Sequence, residues 1–257
     1  MLQLSMLSYG QKPKVAYGNN PAAGRYYNIR GIKMYAEVYG KGAPLLLIHG
    51  NGGDISAFSK NIPYFEKKYM VIAVDSRSQG KSIDPKPALT FEQMADDFAA
   101  LLDAMHIQKA YVLGWSDGGI NAILMAMRHP DKVLKLASTG ANLWPGPTAF
   151  PDWDQTVKYY EENKNKVWHT AKERNAWKMF MLDYEQPNIK LAELKKVNCP
   201  ALIIAGDHDG ILDKHTRLIY KNIPGAKLWI VPNSSHSTLI DHADEFNKRV
   251  DAFFAEK

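Results

Sequence analysis

The chain has 257 residues, of which 46% are hydrophobic and 23% charged, proportions that exclude a disordered or fibrous protein. Its one cysteine, Cys199, excludes a disulfide framework and a thiolate metal cluster. The formal net charge is +5, but no basic run exceeds two residues, which favours a solvated mixed-charge surface over a nucleic-acid or membrane partner.

Residues 1–25, rich in Gly, Pro and Asn, read as an irregular lead-in. Met1–Leu7 is faintly leader-like but lacks a basic start and a long apolar core. Location is therefore left open: cytoplasmic by default, periplasmic or secreted if a leader was removed. No stretch approaches the ~18 apolar residues of a membrane span. Strands are predicted at Ile32–Tyr39, Pro44–His49, Met70–Asp75, Ala110–Trp115, Val133–Ser138, Ala201–Ala205 and Lys227–Val231. Continuous apolar runs such as Leu45–Ile48 suit parallel strands covered on both faces. Between them, Phe91–Met105 carries apolar residues at helical spacing, and Thr90 with Gln93 reads as a capping box at its start. A last helix is expected over Ala243–Phe254. Alternating strands and helices predict an α/β fold with a mostly parallel doubly wound sheet.

From 143 to 195 the rhythm breaks into helical stretches with nine Trp, Tyr and Phe residues, Trp144 and Trp177 among them. The expected division is therefore a core of residues 1–142 and 196–257 and a helical cap of residues 143–195. The aromatic side chains either pack as an extra layer or line an apolar pocket.

The sharpest motif is Gly114-Trp115-Ser116-Asp117-Gly118-Gly119, after one predicted strand and before a helix. G-x-S-x-G at a strand-to-helix turn is a nucleophile elbow, which lifts Ser116 Oγ at the carboxyl end of the sheet. A serine hydroxyl needs a base, and the base an orienting acid. His236 lies in the polar loop after the last strand, and Asp207 and Asp209 in the loop after the strand before it. Asp209 is the expected acid, because Asp207 is expected to fix the turn through its own backbone. The oxyanion donors are expected from the N–H of Asp117 and, in the His49–Gly53 loop, the N–H of Asn51. Loss of one such donor typically costs about 3–4 kcal/mol of transition-state stabilisation. The glycines at 50, 52 and 53 fit no phosphate-binding pattern. Asp207, His208, Asp209 and Asp213 lack the spacing of a metal motif, so neither metal nor cofactor is expected.

These ordered motifs, with the Asp75–Ser82 turn, resemble the α/β-hydrolase superfamily from about Tyr26 onward. Within it, Gly114–Gly119 together with Gly140-Ala-Asn142, Cys199-Pro-Ala-Leu202 and His242–Asn247 is similar to the valacyclovir hydrolase family of serine esterases. That resemblance implies α-amino acid esters as substrates, with Asp117 holding the ammonium group and Trp115 and Trp144 beside the substrate. The competing reading of Asp117 is a plain charge at a helix start. Ser78 departs from the superfamily pattern, which usually has Gly there. The expected reaction is hydrolysis of a small-molecule ester through an acyl-enzyme. Lactone opening, perhydrolysis, C–C bond cleavage and ligand binding with little turnover are the alternatives, and the number of subunits is left open.

Overall fold

The computed structural model describes residues 16–256; the Met1–Leu7 reading lies outside them. Eight strands form one sheet in the order β1-β2-β4-β3-β5-β6-β7-β8. They are β1 (Gly24–Ile29), β2 (Ile32–Tyr39), β3 (Ala43–Ile48), β4 (Tyr69–Val74), β5 (Ala110–Trp115), β6 (Val133–Thr139), β7 (Ala201–Gly206) and β8 (Lys227–Val231). β1 and β2 run antiparallel to their neighbours, and β3 to β8 are parallel.

The seven predicted strands form within a residue of their expected ends. β1 is the correction to the sequence reading, which put its first two residues in the irregular lead-in and predicted no strand before Ile32. It is an edge strand on which Ile29 alone is fully buried, so it lacks the apolar signal of a central strand.

The helices are α1 (Ile62–Phe65), α2 (Phe91–Ala104), α3 (Asp117–Arg128), α4 (Trp153–Asn163), α5 (Ala171–Glu185), α6 (Asp213–Asn222), α7 (Thr238–Asp241) and α8 (Ala243–Ala255). Alternate strand residues feed two cores, as the period of two requires. Leu46 and Ile48 pack with α2 and α3 on one face, while Leu45 and Leu47 pack with Phe246 and Phe254 of α8 on the other. Thr90 accepts from the Gln93 backbone N–H at 3.0 Å. The structure thus builds the Thr90 half of the expected capping box; the reciprocal bond from the Gln93 side chain is not among those of the described residues.

On the buried side of α2 one polar residue, Asp97, interrupts the apolar stripe. It pairs with Arg77, whose guanidinium is fully buried and also bonds Asp84 at 2.9 Å. That network fixes the loop between β4 and α2. Two further bonds tie this loop to α5: Asn175 Nδ2 donates to the Ser78 carbonyl at 2.8 Å, and Lys178 Nζ to those of Asp84 and Lys86 at 2.8 and 2.9 Å. Helices α4 and α5 meet through stacked rings, Tyr160 on Tyr184 at 4.2 Å and Trp153 on Tyr184 at 5.6 Å. The aromatic side chains of this segment thus pack largely on one another.

Candidate active site

Ser116 joins β5 to α3 with φ 56° and ψ −119°, a left-handed conformation that costs a non-glycine residue of order 1–3 kcal/mol. The surrounding glycines permit it. A Cβ at Gly114 would stand 1.9 Å from the Gly118 carbonyl oxygen, and one at Gly118 1.9 Å from that of Ile48. The Ser116 N–H donates to the Thr139 carbonyl at 2.8 Å, which seats the elbow against β6.

His236 arrives from the loop after β8. Its Nδ1 lies 2.6 Å from Asp209 Oδ1, whose carboxylate also accepts from the Ile211 N–H at 2.9 Å and the Gly206 N–H at 3.3 Å. The Trp115 indole N–H donates to the His236 carbonyl at 3.0 Å. The imidazole also lies against Gly140, where a Cβ would meet its Cε1 at 2.6 Å. The two residues flanking the Ser116 backbone contacts, Trp115 and Gly140, therefore both touch His236. Asp207 does a different job. The backbone N–H groups of Asn233 and Ser234 hold its carboxyl down to about 2, at 2.9 and 3.0 Å, so it anchors the loop that carries His236.

The loop after β3 passes hard against Ser116: a Cβ at Gly50 would sit 3.0 Å from the Ser116 Cβ. His49 holds this loop in place. Its Nδ1 donates to the Gly50 carbonyl at 2.7 Å, and its Nε2 accepts from the Ser76 N–H at 3.0 Å. Complete burial lowers its pKa, so the ring is neutral, as this pair of bonds requires. Asn51 follows, with its side-chain amide on Asp117 Oδ2 at 3.1 Å and the Met179 carbonyl at 3.2 Å. Asp117 opens α3, where backbone N–H groups have no partner within the helix.

The Asp117 side chain is buried, and it does not stand alone. Asp183, from α5, lies beside it. Burial, then the neighbouring Asp183 charge, pushes Asp117 well above the ordinary carboxylate range, and burial also raises Asp183. Neighbouring carboxyls disfavour ionising together, so the two lose their protons in separate steps. His236 is near enough to draw the Asp183 pKa back down, so the pair borders the imidazole. Sequence reasoning missed Asp183, because one aspartate on a polar-faced helix carries no local signal. The expected substrate contact Trp144 instead packs edge-on against His215 at 4.8 Å between ring centres, with its indole N–H on Thr148.

A family profile described as the alpha/beta hydrolase fold matches residues 43–176. The chain belongs to the alpha/beta hydrolase family. Human serine hydrolase BPHL is 29% identical to this hydrolase over 260 residues, covering 94% of this chain and 89% of the human one. A pimeloyl-[acyl-carrier protein] methyl ester esterase of Legionella pneumophila (strain Corby) is 26% identical over 86% of this chain and 99% of its own. The crystal structure of the enol-lactonase from Burkholderia xenovorans LB400 superposes with a TM-score of 0.75 at 25% identity, over 90% of this chain and all of the lactonase. The hydrolase is thus an α/β serine hydrolase, with esterases among its relatives. Among its described residues no helix is long and apolar enough to cross a membrane.

Proposed function

We propose that this hydrolase cleaves carboxylic esters through an acyl-enzyme on Ser116 and prefers esters of α-amino acids. The observation that carries the first part is the hydrogen bond of His236 Nδ1 to Asp209 at 2.6 Å beside a serine in the strained elbow conformation. Asp209 keeps the imidazole tautomer with Nε2 free to accept a proton. Ser116 Oγ attacks the acyl carbon as His236 takes its proton. The tetrahedral oxyanion is held by the N–H groups of Asn51 and Asp117. Collapse breaks the ester bond, and the alcohol leaves with the proton from His236. Water then adds to the acyl carbon, passing its proton to His236, which returns it to Ser116 as the acid departs.

The second part rests on Asp117. The reading of it as a plain helix-start charge fits poorly with a carboxyl that bonds Asn51 and neighbours Asp183. A carboxyl pair next to the nucleophile favours a cationic group on the acyl side of the ester, since a bound ammonium offsets the repulsion between the two charges. Helices α4 and α5 act in this reading as the cap.

Two measurements test the proposal. A fluorophosphonate probe should label the wild type at Ser116 and leave Ser116→Ala unlabelled; labelling of the variant, or none of the wild type, rejects the nucleophile. Aminoacyl esters and their N-acylated forms should differ in kcat/KM by tenfold or more in the wild type and converge in Asp117→Asn. Equal rates in both enzymes would reject ammonium recognition while leaving the esterase reading intact.

A further inference from the structure

A second cavity, of about 840 Å³, lies between the β4–α2 loop and the first turns of α5. Its lining contains none of Ser116, Asp209 and His236. The volume is that of a small-molecule site, and the walls are built. The Asn175 and Lys178 bonds to loop carbonyls and the buried Arg77 network behind the loop hold the two sides at a fixed separation.

The lining has two chemical characters. Four cations border it, Lys86, Lys172, Arg174 and Lys178, against one acid, Asp84, and that acid is already paired with Arg77. The remaining wall is apolar and rigid. Trp168 and Trp177 stack at 5.5 Å between ring centres, facing Pro85 and Pro87. Ile83, 76% exposed, stands uncovered at the rim. An exposed branched hydrophobe beside a ring stack marks a surface suited to an apolar body. Arg174 and Lys178 already donate to backbone carbonyls, but four cations against one paired acid in a partly enclosed space still favour an anion.

We propose that this cavity binds an amphipathic organic anion, an aromatic or aliphatic body carrying a carboxylate, at a site separate from the ester-cleaving cleft. The two sites use different faces of α5. Asn175, Lys178 and Met181 line the cavity, whereas Asp183 neighbours Asn51 and Asp117. At about 100° per residue these faces lie roughly a third of a turn apart. The proposal does not depend on Ser116 being the nucleophile.

The test is calorimetric titration of the full-length enzyme with 1-naphthoate, alongside the neutral 1-naphthalenemethanol. The wild type should bind the carboxylate at least tenfold more tightly than the alcohol, with a change in tryptophan fluorescence from the Trp168–Trp177 pair. The double variant Lys86→Glu/Lys172→Glu changes two exposed side chains and should weaken naphthoate tenfold or more. Lys86→Gln/Lys172→Gln gives a milder version if the reversal unfolds the protein. Asp183→Asn, in the other cleft, should leave naphthoate affinity unchanged. No binding by the wild type at millimolar naphthoate, equal binding of the alcohol, or indifference to both lysine pairs overturns the proposal. So does a change in naphthoate affinity in Asp183→Asn, above all a tightening, since loss of a negative charge favours an anion bound in the catalytic cleft.

Discussion

The indole N–H of Trp115 donates to the backbone carbonyl of His236 at 3.0 Å, so the residue before the proposed nucleophile holds the residue proposed to activate it. The bond spans 121 positions in sequence and fixes the loop after β8 to the end of β5. Trp115→Phe keeps a ring there and removes only the donor. A lost hydrogen bond of this kind is worth about 1 kcal/mol, so kcat should fall by five- to tenfold with KM nearly unchanged. A shift in KM alone, measured on a nitrophenyl ester, would argue that Trp115 contacts substrate instead.

Ser116→Ala should reduce kcat by about 10⁴-fold or more, since loss of a triad nucleophile leaves only binding and oxyanion contacts. Its circular dichroism and melting temperature should match the wild type or exceed it slightly, because a strained functional residue is not there for stability.

The carboxyl pair predicts the pH dependence. Burial pushes Asp183 up to about 6, so the pair takes on its first negative charge as pH rises through that value. KM for an aminoacyl ester should therefore fall between about pH 5 and 7 and stay flat for the N-acylated ester. The linkage to stability has the opposite sense. A carboxyl whose folded pKa lies above its unfolded one binds more protons when folded, so its contribution is present at low pH and lost as pH rises through the folded value. Asp183→Asn should accordingly melt higher than the wild type at pH 8 and show no gain near pH 4, read by thermal denaturation at both.

Ser78 has φ 67° and a buried hydroxyl without a partner in the described structure. Both features favour glycine, which reaches that conformation without strain. Ser78→Gly should stabilise the protein by about 1 kcal/mol, or roughly 2–4 °C in Tm for a chain of this size.

Arg77 should respond in the opposite direction. Its guanidinium is fully buried between Asp84 and Asp97, and truncation leaves two carboxylates without their cation. Arg77→Ala should cost about 3–5 kcal/mol in chemical denaturation.

Much of this arrangement was legible in the sequence because it is local. The central strands are continuous apolar runs, and the elbow declares itself through glycines whose missing side chains leave room for backbone. Turn chemistry singles out Asp209 as the partner of His236, but it does not foresee that Asp207 would hold the backbone of Asn233 and Ser234 in the other loop. What stayed hidden is set by packing alone. β1 shows the solvent too many of its residues to read as a strand. Asp183 looks like any polar position on a helix until α5 settles over the elbow. The nine aromatic residues announced a special segment, but ring stacking between α4 and α5, and the pairing of Trp144 with His215, depend on contacts that spacing does not encode.

Asp117 and Asp183 belong to different parts of the chain, one to the strand-helix core and one to the segment inserted between β6 and β7. Under the proposed function, the core therefore carries the reaction and one carboxyl of the charge-selecting pair, and the inserted segment carries the other. One nucleotide change at position 183 could retune which esters are accepted without touching a group that makes or breaks a bond. Related enzymes could thus diverge in diet by exchanging a single helix.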